Sequence, residues 1–211
     1  MVPSAIDHLV LTAPTLASGA EFVTRALGVP LQRGGEHPRM GTHNLLLRLS
    51  ASTYLEVIAV DPAAAGPGRP RWFGLDGLAP NAAPRLATWV ARTATIEAAA
   101  AGVPEPLGVV EAMTRGDLRW RLTVPPDGTM PLDGLAPALI QWESPGHPAE
   151  TLVDRGCVLE GLEARHPDPA RLRAVLKALG LGGEVQVTAG AVPALAARIR
   201  TPSGVRWIGP A

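Results

Sequence analysis

A chain of 211 residues, 46% hydrophobic and 18% charged, has the composition of a globular protein with a substantial core. Its formal net charge is zero, so it lacks the basic footprint of a nucleic-acid binder or of a protein held on an anionic membrane. Cys157, the only cysteine, excludes an intrachain disulfide and a thiolate metal cluster, and between Gly156 and Val158 it suits a buried apolar position.

Met1-Val2-Pro3-Ser4 lacks the basic start of a leader, and no apolar run approaches the ~20 residues of a spanning helix. The expected location is cytoplasmic, with no membrane partner. Ala5 to Thr12 then reads as a buried strand closed by Pro14. Side chains alternate along a strand, which puts His8 on a face with Ile6 and Val10, and Asp7, Leu9 and Leu11 on the other. Thr15 or Ser18 caps a helix, Ser18 at capping-box spacing from Glu21; Leu16, Ala20, Val23 and Leu27 form its apolar stripe and Gly28 its stop. Val29 to Arg33 predicts a short strand, Gly34 to Pro38 a loop, and residues 42–49 and 53–60 two strong strands. Residues 61–84 form a turn-rich connector, pinned to the core by Trp72 and Phe73.

The pattern then recurs. Residues 85–93 predict a strand, 95–101 a helix ended by Gly102, and 109–113, 118–124 and 138–143 three more strands. A third, partial cycle has strands at 158–165, 185–188, 194–201 and 205–208, and a helix capped by Asp168 with Pro169 at its first position. Its stripe, Leu172, Val175, Leu176 and Leu179, stops at Gly180. The fold class is therefore α+β: tandem βαβββ modules in a U-shaped mixed sheet around a cleft. Residues 1–150 hold the pair, 5–60 and 85–150 joined by 61–84, and 151–211 form a partial third module on the same domain. That third unit either completes the cleft or supports a homodimer.

Laying one module on the other sets Ile6–Val10 over Leu86–Val90, and Tyr54-Leu55-Glu56 over Gln141-Trp142-Glu143. His8, Glu56 and Glu143 then converge from three strands. One nitrogen and two carboxylates suit a divalent metal such as Fe, Mn, Ni or Zn. The fourth symmetric position is Thr88, a poor ligand for these ions. Within the cleft, His43 or Asn44, Arg119 and Arg121, and Gln141 are candidate substrate-binding residues, the two arginines sharing one strand face. His37, His147 and His166 each adjoin a proline and read as loop histidines. No glycine-rich nucleotide loop or serine-nucleophile motif is present in the sequence, so no nucleotide cofactor is expected.

Ile6-Asp7-His8-Leu9-Val10, Gly41-Thr42-His43-Asn44, the run from Tyr54 to Pro62, and Leu139-Ile140-Gln141-Trp142-Glu143 together resemble the vicinal oxygen chelate superfamily, in its glyoxalase-like domain branch. Glyoxalase, extradiol dioxygenases, methylmalonyl-CoA epimerase and drug-resistance proteins belong to that superfamily. The resemblance implies metal ligands on the first and last strands of each module, which His8, Glu56 and Glu143 match and Thr88 does not. It implies an enzyme of lyase, isomerase or dioxygenase type acting on a small oxygenated substrate, with Glu56 or Glu143 moving a proton. The alternative is a protein that binds or sequesters a small molecule in the same cleft without catalysis or metal.

Overall fold

A computed structural model describes residues 4–210. The expectation drawn from Met1 to Pro3 lies outside the described residues. Among the described residues, twelve strands and three of the four α-helices follow the order read from the sequence, and one short helix after the second module is additional. The first module comprises β1 (Ser4–Thr12), α1 (Leu16–Leu27), β2 (Gln32–His37), β3 (Thr42–Ser50) and β4 (Thr53–Val60). The second comprises β5 (Arg85–Thr93), α2 (Ile96–Ala101), β6 (Val109–Arg115), β7 (Leu118–Val124) and β8 (Ala138–Trp142). A one-turn helix, α3 (Pro148–Thr151), leads to β9 (Val158–His166), α4 (Pro169–Ala178), β10 (Val185–Ala189), β11 (Ala194–Thr201) and β12 (Gly204–Ile208).

The two modules share one curled, mixed sheet ordered β2-β3-β4-β1-β5-β8-β7-β6; the last four strands form a second sheet ordered β10-β9-β11-β12. The central β1–β5 pairing is antiparallel, with Leu9 opposite Trp89, His8 opposite Val90 and Val10 opposite Thr88. That register relates the modules by an approximate twofold in which His8 corresponds to Thr88. One face of the large sheet is covered by α1, α2 and the C-terminal unit: Leu9, Leu11, Val23, Trp89, Ile96, Leu172 and Ile199 belong to a single apolar cluster. At roughly 25 cal/mol per Å² of apolar surface removed from water, this continuous face is the main source of stability. The opposite, concave face forms the cleft.

Local chemistry explains the boundaries. Thr15 caps α1, and Ser18 completes the capping box; Gly28, at φ 73°, closes the helix in the left-handed region that glycine enters freely. The box is therefore built on Thr15 rather than on Ser18 and Glu21. Asp168 accepts the Arg171 N–H ahead of Pro169, as expected. The second strand moves most: β2 begins at Gln32 and runs through Gly34, Gly35 and Glu36, where the sequence predicted a loop. Its glycines are there for space, since a Cβ on Gly34 would sit 2.1 Å from Asn44 Oδ1 and one on Gly35 2.8 Å from Arg115 Cδ.

The edge strands β2 and β6 meet across the mouth of the curl. Arg39 reaches from the β2–β3 turn to Glu111 and to the Ala112 carbonyl on β6, and Arg69 of the connector grips Glu111 with two bonds of 2.6 Å. The connector itself crosses the cleft, burying Trp72 and Phe73 beneath it. Among the described residues, no helix is long and apolar enough to cross a membrane.

Candidate functional site

The concave face divides into two unlike halves. From the first module it receives His8 of β1, Tyr54 and Glu56 of β4, Asn44 of β3 and His37 of β2. The second module contributes Trp120, Leu122, Ile140 and Trp142, with Arg115 at the rim. Where the first module has His8 and Glu56, the second has Thr88 and Ala138. The latter follows from the registers, because Val10 pairs with Glu56 and its counterpart Val90 pairs with Ala138.

Asp7 is the anchor, and simple alternation along β1 did not place it here. A bulge between Ile6 and His8 leaves Asp7 without a partner on β5, so both Asp7 and His8 serve the cleft. The Asp7 carboxylate is fully buried and accepts three N–H groups. His8 Nδ1 donates to Oδ1 at 2.7 Å, while Trp142 Nε1 and His147 Nε2 donate to Oδ2 at 3.0 and 3.1 Å. His147 Nδ1 already accepts the Ala149 N–H, which fixes its proton on Nε2. Burial pushes the Asp7 carboxyl up, but the hydrogen bonds from His147 and His8 outweigh it and hold the group well below the ordinary carboxylate range. With its Nδ1–H committed to the Asp7 carboxylate, the tautomer of His8 that this bond selects carries its lone pair on Nε2, facing the cavity.

That Nε2 lies 3.7 Å from Glu56 Oε2, just beyond hydrogen-bond length. Glu56 is oriented by Asn44, whose amide donates to Oε1 at 2.6 Å, while Asn44 Oδ1 accepts the Gly35 N–H at 2.8 Å. Tyr54 stacks on the His8 ring with centroids 4.6 Å apart. Burial first, and then the nearby Asp7 and Glu56 charges, raise the Tyr54 phenol well above its usual value, so it stays a proton donor. His37 is driven the other way, to about 3, by burial and by the positive charge of Arg115. It is a neutral ring that donates from Nδ1 to Thr42 and accepts the Arg115 guanidinium at Nε2. The enclosed space is about 30 Å³, room for roughly two waters. Arg115 and His147 also border a larger outer hollow of about 380 Å³.

Several residues singled out in the sequence lie elsewhere. Gln141 faces the helix side, its Oε1 accepting the Ile96 N–H at the start of α2. Arg121 pairs with Glu97 and with Glu143, the latter at 2.9 Å, and the Glu143 side chain is 41% exposed. Trp120 and Leu122 occupy the cleft face of β7, which leaves Arg119 and Arg121 on the other. Of the adjacent pair, Asn44 enters the cleft, whereas His43 turns outward, 3.9 Å from Asp61. Thr88 is buried and has a side chain too weakly basic to ligate.

The structure thus brings together two of the three expected metal donors, His8 and Glu56, but not Glu143. Among the described residues, no group of three or more His, Cys, Asp and Glu side chains is placed to hold a metal ion. A site for Fe, Mn, Ni or Zn ordinarily needs three protein donors, so this donor set does not fit one. Asp7, His37, Tyr54, Arg115 and His147 are the residues that sequence reasoning missed, His37 because it lies at the end of β2 rather than in a loop. The signal for Asp7 was its adjacency to a strand histidine; His147, 140 positions away from Asp7, carried none.

The model of a family described as "Glyoxalase-like domain" matches residues 6–180. Among solved structures, a hypothetical protein from Staphylococcus aureus is 15% identical, covering 90% of this chain and 88% of its own, with a TM-score of 0.61. It has the same fold. Streptomyces coelicolor methylmalonyl-CoA epimerase, in complex with 2-nitronate-propionyl-CoA, is 18% identical over 70% of this chain and 99% of its own, with a TM-score of 0.44. The Mycobacterium tuberculosis methylmalonyl-CoA epimerase is 15% identical over 65% and 85%, with a TM-score of 0.40. No functionally curated protein matches the chain.

Proposed function

Since the chain belongs to the glyoxalase-like domain family of the vicinal oxygen chelate superfamily, we propose that its cleft binds a small oxygenated molecule and moves a proton on it, as isomerases and lyases do. The observation that carries this reading is the Asp7–His8 pair: a fully buried, ionised carboxylate holding Nδ1–H and aiming the basic Nε2 into the cleft cavity. His8 takes a proton from a carbon beside a carbonyl. The electron pair of the C–H bond passes to the carbonyl oxygen, and Tyr54 is the donor on hand for it. The imidazolium that forms is held between Asp7 on one nitrogen and Glu56 on the other, so charge develops where two carboxylates already wait. Return of the proton to a different face or atom gives an isomer; departure of a group on the next carbon gives a lyase product. Only two of the three expected metal donors meet, so the reading rests on these side chains.

The test is loss of the proton next to the carbonyl, followed by proton NMR in deuterated buffer with a panel of small 2-oxo and 3-oxo acids. Exchange is expected with the wild-type protein and is expected to fall by about a thousandfold in His8→Gln, the range of a removed general base. Binding without exchange supports the sequestering alternative, and unchanged exchange in His8→Gln removes His8 as the base.

A further inference from the structure

The cleft contains an arginine with no anion. Arg115 reaches from the last residue of β6 over Gly35, and its NH1 donates to His37 Nε2 at 3.1 Å and Asn44 Oδ1 at 3.5 Å, both neutral acceptors. Among the described residues, no carboxylate pairs with it. By contrast, Arg39, Arg69, Arg71, Arg121 and Arg171 each hold an Asp or Glu. A half-buried guanidinium without a counter-charge is costly, and it is retained where something supplies that charge.

A second donor points the same way. Trp72 is buried and lines the same cavity, and its indole N–H has no hydrogen-bond partner among the described residues. Its ring meets the His37 ring edge to face, with centroids 5.2 Å apart, so Trp72 and Arg115 both adjoin one imidazole. His37 is already satisfied, accepting from Arg115 and donating to Thr42, and offers Trp72 nothing. A cation without a counter-charge and an indole N–H without an acceptor, both beside His37, mark the place of an anionic acceptor that the protein does not contain.

Deepening the cleft reading above, and resting on it, we infer that the ligand carries a carboxylate, received by the Arg115 fork and the Trp72 indole N–H. A carboxylate is favoured over a phosphate by space: the inner cavity is about 30 Å³, and its lining includes the indoles of Trp120 and Trp142, centroids 5.6 Å apart and tilted by 45°. Arg115 also borders the outer hollow of about 380 Å³, so the carboxylate sits at the junction of the two. The reacting carbon lies inward, toward His8 and Glu56, and the remainder of the molecule occupies the hollow.

The experiment reads binding without turnover. Intrinsic tryptophan fluorescence of the full chain is titrated with butyrate, 2-oxobutyrate and benzoate, each against its neutral amide, and with inorganic phosphate. At least one acid is expected to bind more tightly than its amide by about tenfold to a hundredfold, the worth of a charge-assisted bidentate contact. Arg115→Gln abolishes that preference, and Trp72→Phe weakens the acid while sparing the amide. Arg198→Gln, on the C-terminal sheet, leaves it unchanged. Arg115→Lys, which keeps charge without the fork, reduces the preference several-fold and serves if the glutamine variant does not fold. Amides that bind as well as acids, no acid that saturates, phosphate matching every acid, or a preference surviving in both Arg115 variants would each overturn the inference. Because no proton transfer is read, failure here is separable from failure of His8 as base.

Discussion

Replacing Asp7 by asparagine changes almost no volume and removes one charge, which isolates what the carboxylate does. In the wild type, one buried anion accepts N–H groups from His8, Trp142 and His147 at 2.7, 3.0 and 3.1 Å. Bonds to a charged acceptor contribute about 1.5–3 kcal/mol each, and a buried donor left unmet costs about 1–3 kcal/mol. An amide offers one oxygen and one NH₂. If the oxygen serves Trp142 and His147, the NH₂ faces His8 Nδ1 and drives the imidazole proton to Nε2. The basic lone pair then turns away from the cavity. The relief of no longer burying a charge offsets part of the loss, leaving a net destabilisation of about 3 kcal/mol at neutral pH. The expected fall in proton transfer is far larger, up to about 10⁴-fold, as in an enzyme where the same exchange sets the wrong histidine tautomer. The stability effect is also pH-linked. The folded-state pKa of Asp7 lies below its unfolded value, so its contribution is full above about pH 4 and is lost as pH falls through and below that point. Urea unfolding at pH 7 and pH 3 reads the stability and its pH dependence, and nitrogen-15 NMR of His8 reads the tautomer on which the rate depends. An Asp7→Asn protein with wild-type midpoints at both pH values and an unchanged His8 tautomer would refute the reasoning.

His37 gives a second pH signature in a different window. Its folded pKa of about 3 lies below the unfolded value near 6.5, so protons favour the unfolded chain as pH drops between those limits. Stability is expected to fall by about 1.4 kcal/mol per pH unit across that interval, and His37→Gln to flatten the slope in a urea series from pH 6.5 to 4.5. Gly34→Ala forces Asn44 aside and frees Glu56, at an expected cost of about 2 kcal/mol in thermal unfolding. Gly35→Ala meets a movable Arg115 side chain instead, so it should cost about 1 kcal/mol or less while displacing the guanidinium. Glu143→Gln, which breaks a solvent-screened pair with Arg121, is expected to shift stability by less than about 0.5 kcal/mol; a loss of several would show that the carboxylate is buried.

The fold was legible where the chain announces itself locally. The Thr15 and Asp168 caps, the stop at Gly28 and the apolar runs of residues 53–60 and 85–93 are consequences of neighbouring residues. The site was legible only where alternation held. His8 and Asn44 sit where alternation along a strand puts them and Glu56 came from laying one module over the other, but the bulge at Asp7 breaks alternation, and no local residue marks it. Glu143 was aligned with Glu56 by likeness of sequence, yet sheet register decides equivalence, and it sets Ala138 there. Gly34 and Gly35 look like a turn because the reason for them, two side chains crossing from β3 and β6, lies far away in sequence. Distance along the chain separates the parts that were readable from those that were not.

A duplicated module would, if its copies had stayed alike, enclose a cup with two equivalent ways to receive each guest. Thr88 and Ala138 remove that equivalence by leaving one wall hydrocarbon and indole, and the other imidazole and carboxylate. A guest entering this cup meets the base on one flank only. On the proton transfer proposed above, His8 takes its proton from that flank alone, so an isomer forms only where the proton returns to another face or atom.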